Sequence, residues 1–101
     1  MIHHIELPAL LTKEQLLEKY SDIFDQNDLN WESFEDVPER YLFYVKSLCD
    51  DLRNFHSVYP GFDKTKIYWV RNYNGDLRIY HSSQLPTIIN MIGATEYLCK
   101  K

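Results

Sequence analysis

Four histidines and two cysteines are the residues of this chain best equipped for catalysis or metal binding, and their spacing narrows that chemistry sharply. His3 and His4 are adjacent, so on a strand they point to opposite faces and do not share one metal. His56 and His81 have no Cys or His beside them at ligand spacing, and Cys49 and Cys99 form no C-x-x-C pair. Both cysteines fall on the apolar faces of predicted helices, where a thiol behaves as a small buried hydrophobe. A triad of Cys49, His81 and a carboxylate would have to be assembled by the fold, because no G-x-S-x-G, P-loop, GxGxxG or HExxH run announces one. The expectation is a protein that is not an enzyme and holds no metal or cofactor.

Binding chemistry is better represented. Between Lys19 and Arg40 the chain carries seven carboxylates, Asp22, Asp25, Asp28, Glu32, Glu35, Asp36 and Glu39, with no basic residue among them and with Phe24, Trp31 and Phe34 interleaved. Acids steer an encounter with a basic partner and rings supply buried anchors. As one helix, residues 22–39 would span about 27 Å and carry a negative charge every 4 Å or so, against about 3.4 Å per phosphate on a DNA strand. Asn27, Asn30 and Pro38 argue for a broken segment instead. A calcium loop fails, since Leu29 takes the fifth position, Asn30 the glycine position and Asp36 the closing glutamate position. Asp25, Asp28, Trp31, Glu32, Glu35 and Asp36 are the candidate partner-binding residues.

A second surface is suggested between residues 64 and 81, where Lys64, Lys66, Arg71, Arg78 and His81 are interleaved with Tyr68, Trp69, Tyr73 and Tyr80. Strict alternation places Tyr68 and Val70 on one face and Ile67, Trp69 and Arg71 on the other; across the turn, Arg78 and Tyr80 separate from Leu77, Ile79 and His81. Rings beside cations can stack bases and neutralise phosphates. They can also pair across strands and merely stabilise an exposed face. Lys66, Arg71, Tyr73, Arg78 and Tyr80 are the candidate nucleic-acid contacts.

The elements that must position these groups follow from periodicity. Thr12 and Gln15 have capping-box spacing, and Leu16, Leu17, Tyr20, Ile23 and Phe24 follow on one helical face, predicting a helix over residues 13–24. Trp31, Phe34 and Val37 fit a short helical turn. Asp36 and Glu39 suggest a second box around Pro38, opening a helix over 38–57 whose stripe is Tyr41, Leu42, Val45, Leu48, Cys49, Leu52 and Phe55. Asn74-Gly75 between two short apolar runs predicts a hairpin over 66–81, because both residues tolerate positive φ. Ser82 or Ser83 would cap a last helix over 84–98 that packs through Leu85, Ile88, Ile89, Ile92, Tyr97 and Leu98, with Gly93 weakening it unless a close contact requires it. Met1 to Leu7 suits an edge strand or an extended arm. The expected fold is α+β, a small antiparallel sheet against three helices, in one domain over 1–101; a winged helix is the rival arrangement.

At 101 residues, with 45% hydrophobic and 26% charged positions, the composition is that of a soluble globular domain. The net charge of −4 conceals a split, five bases against twelve acids up to Phe62 and six against three from Asp63 onward. No apolar run approaches about 20 residues, and the start lacks a signal-peptide pattern, so a cytoplasmic protein with reduced cysteines is expected. In size, acidity and aromatic content the chain resembles bacterial immunity proteins and small phage-encoded inhibitors, a likeness of composition alone. The leading expectation is an inhibitor or antagonist docking its acidic segment on a basic surface of a target enzyme, such as its nucleic-acid site. The alternative is a small nucleic-acid-binding regulator using the hairpin.

Overall fold

The computed structural model describes residues 12–24, 34 and 36–100. Along the chain these form α1 (Lys13–Lys19), α2 (Glu39–Val58), β1 (Ile67–Tyr73), β2 (Asp76–His81) and α3 (Pro86–Leu98). The result is a small α+β fold, three helices with a two-stranded antiparallel hairpin.

Helix α1 starts where predicted, since Thr12 Oγ1 accepts from the Gln15 amide at 3.1 Å while Gln15 Oε1 accepts from the Thr12 amide at 3.0 Å. It stops at Lys19 instead of reaching residue 24. Tyr20, Ile23 and Phe24 remain buried, but in a turn that brings the Ile23 carbonyl to the Ile67 amide at 2.8 Å. That bond ties the end of the turn to the first residue of β1, beside a parallel bridge from Phe24 to Ile67.

Helix α2 is the spine of the core. Tyr41, Leu42, Val45, Leu48, Cys49 and Leu52 are all buried, so the predicted stripe faces inward, with Phe55 half-exposed at its end. The anticipated box of Asp36 and Glu39 does not form; Pro38 is the N-cap and no side chain bonds to the first turn. Proline already removes one of the amides a cap would satisfy, which weakens the need for the box.

The hairpin turn has Asn74 at φ 55° and Gly75 at φ 95°, the two positive values a tight two-residue turn requires. It is tied to α2 by the Tyr41 hydroxyl, which donates to the Gly75 carbonyl at 2.6 Å. The expected strict alternation fails at the start of β1. Ile67 pairs with His81 and Trp69 with Tyr80, leaving Tyr68 as an extra residue in a bulge. One extra residue reverses the facing of everything before it. Ile67 therefore turns inward to be buried with Val70, Leu77 and Ile79, while Trp69 keeps the outer face it shares with Arg71.

Helix α3 packs on α2 and β2. Its N-cap is Leu85 with Pro86 in the first turn, and the serines act one step earlier, Ser83 Oγ accepting from the Leu85 amide at 3.2 Å. Ile88, Ile92 and Thr95 point inward, whereas Ile89, Tyr97 and Leu98 are exposed, correcting the broader stripe read from sequence. Gly93 faces open space, with nothing near the position of an added Cβ. The far edge of β2 is closed by this helix: the Leu77 amide donates to the Cys99 carbonyl at 2.8 Å, and the Ile79 amide to Glu96 Oε2 at 3.0 Å.

Candidate functional site

The outer face of the hairpin, beyond the bulge at Tyr68, is the most distinctive surface of the described residues. After it, Trp69, Arg71 and Tyr73 share the outer face of β1, and the register sets Tyr80, Arg78 and Asp76 opposite them in turn. The Trp69 and Tyr80 rings stack with 28° between their planes, and the Arg71 guanidinium lies over the Trp69 ring, 5.2 Å from its centroid. Tyr73 and Tyr80 are 61% and 51% exposed, far more than a structural tyrosine usually is, so each offers a ring to a partner.

Arg71 and Arg78 form a directly opposed cross-strand pair. Like charges at that spacing repel and weaken a hairpin. Among the described residues neither guanidinium is held by a carboxylate. The face therefore reads, along the strands, as a ring pair, a cation pair and then Tyr73 opposite Asp76. Of the candidate nucleic-acid contacts, Arg71, Tyr73, Arg78 and Tyr80 come together here. Lys66 does not join them; its ammonium donates to the Asp22 carbonyl at 2.6 Å. Trp69 was not among the sequence candidates, although alternation already placed it on the face of Arg71.

The acidic candidates divide differently. Asp25, Asp28, Trp31, Glu32 and Glu35 lie outside the described residues. Asp36 is exposed, just before α2. Asp22 is a structural acid: Arg53 reaches it with Nη2 at 2.6 Å and Nε at 3.1 Å, which holds its carboxyl below the usual range. The same guanidinium lies over the Tyr20 ring and donates to the Lys19 carbonyl. Phe24 and Phe34, both buried, meet edge to face with centroids 6.0 Å apart.

The titratable groups first singled out are committed to structure. Burial pushes the Cys49 thiol well up and the Cys99 thiol to about 11, so both are held protonated at neutral pH. His56 Nε2 accepts from the Thr65 amide at 2.9 Å, which leaves the ring hydrogen on Nδ1, a buried atom with no partner among the described residues. Its pKa is lowered, chiefly by burial and then by Lys64. His81 Nδ1 lies 3.2 Å from the Ser83 amide, and burial lowers its pKa against the opposing pull of Glu96. An open cleft of about 330 Å³ lined by Asp22, Arg53, His56 and Lys64 has most of its polar groups taken up by these internal bonds. Among the described residues no three His, Cys, Asp or Glu are placed to hold a metal, and no helix is long and apolar enough to cross a membrane. No protein-family model, curated protein or solved structure matches the chain.

Proposed function

We propose that this chain is a small binding protein that holds nucleic acid on the outer face of its hairpin and regulates by occupancy, not catalysis. The observation that carries this reading is the opposed pair Arg71 and Arg78, exposed, in no ion pair among the described residues, and flanked by Tyr73 on one side and by Trp69 with Tyr80 on the other. A fold that tolerates such repulsion keeps the pair for an anion, and flanking rings suit an anion that carries bases. The acidic excess lies in the first 62 residues, so the hairpin half presents a local positive field despite the net charge of −4. Retention of the purified protein on immobilised nucleic acid should fall steeply with salt. No retention at low salt overturns the proposal.

A second reading keeps the acidic segment as a dock for a basic protein, such as an enzyme that the chain would inhibit. It is favoured by Asp36, which is exposed and does not cap α2. Reversing Glu32 and Glu35 to Lys should slow association with the captured partner; an unchanged rate removes this reading.

A further inference from the structure

Resting on the nucleic-acid reading, we infer that the hairpin selects single strands, gripping a phosphate between Arg71 and Arg78 while the bases on either side stack on Tyr73 and Tyr80. The order of groups along the hairpin carries the argument. Residues two apart on one face of a strand are separated by about 6.6 Å, so rings and cations alternate here at a step of one pleat. Tyr73 and Trp69 stand one pleat either side of Arg71, and Tyr80 stands one pleat from Arg78.

The rings are not equally available. Trp69 has Tyr80 against it and Arg71 over it, so it is already packed and serves as a stiff support. Tyr80 has its second face open, and Tyr73 has no ring contact at all among the described residues. Two open tyrosines straddling a cation pair suit two bases joined across a phosphate. A duplex cannot use them, because its bases are stacked on each other and show only their edges in the grooves. An acidic peptide would satisfy the arginines but has no planar group to place on both tyrosines.

Fluorescence anisotropy with a labelled oligothymidylate of about 12 nucleotides tests this, alongside a duplex of equal length, an abasic strand and polyglutamate. The single strand should bind most tightly. Tyr73→Ala and Tyr80→Ala should each weaken it by about 5-fold to 150-fold and leave the abasic strand unaffected. Replacing both arginines with alanine should reduce the slope of log K against log salt by about 0.7 to 1.4, one to two phosphates. Circular dichroism of each variant separates lost binding from lost folding.

Duplex binding as tight as the single strand overturns the strand preference but leaves the nucleic-acid reading in place. Equal binding of the abasic strand, with the tyrosine variants unimpaired, overturns the stacking geometry. Polyglutamate binding as tightly as the oligonucleotide makes the surface a general anion or acidic-protein site and overturns both readings. No binding to any probe at low salt also overturns both.

Discussion

At the scale of single residues, the polar groups of the interior are joined in pairs whose loss has a definite direction. Tyr41 is almost fully buried and its hydroxyl holds the turn carbonyl of Gly75, so Tyr41→Phe should cost about 1 kcal/mol in denaturant unfolding. His56 accepts a hydrogen bond from Thr65 only in its neutral form. Its folded pKa lies below the value of about 6.5 that the unfolded chain shows, as does that of His81. The unfolded state therefore takes up protons first, and stability present at pH 7.5 is lost as pH falls below about 6.5 towards the folded values. The thermal midpoint should drop between pH 7.5 and 5.5, and His56→Gln should reduce that drop; an unchanged pH dependence would show that His56 contributes nothing to it. Asp22 and Asp50 act in the same direction at lower pH. Asp22 is held down first by Arg53; Asp50 is raised by burial, but the bonds from Lys46 and Tyr20 outweigh that and hold it low.

At the scale of elements, Gly93 lies on the exposed side of α3 with room for a methyl group, so Gly93→Ala should raise stability by up to about 1 kcal/mol in the same assay. Replacing Arg78 with Glu should strengthen the hairpin, by turning a repulsive cross-strand pair into an attractive one, while removing binding to nucleic acid. A raised thermal midpoint together with lost binding is the expected signature. These elements also show what could be read in advance. The turn at Asn74-Gly75, the stripe on α2 and the capping box at Thr12 were legible because each depends on residues close in sequence. The inward facing of Ile67 was not, because a bulge shifts periodicity by one without any marker of its own at Tyr68. The exposure of Ile89, Tyr97 and Leu98 was hidden as well, since apolar residues on a helix do not reveal how wide a face the sheet covers. Of the nucleic-acid candidates, the hairpin gathered four, and it diverted Lys66 to a carbonyl that no local pattern identifies.

At the scale of the whole molecule, the charge split has a structural expression. Asp22 and Asp50 are tied to Arg53 and Lys46, whereas the arginines of the hairpin face form no ion pair among the described residues, although Asp76 shares that face. Folding therefore neutralises part of the acidic half internally and leaves Arg71 and Arg78 outside any ion pair among the described residues. Glu96 and the Cys99 carbonyl limit how that face is approached, because they occupy two outward amides of β2, those of Leu77 and Ile79. A strand from another chain cannot add there, so recognition on that side is left to side chains and the protein is protected from growing into a ribbon of copies. Glu96→Ala should free the Ile79 amide, and light scattering should then show concentration-dependent association that the parent chain lacks. The C-terminal turn of α3 thus guards the edge of the hairpin at Leu77 and Ile79, so that its face, and not that stretch of backbone, is what remains open to a partner.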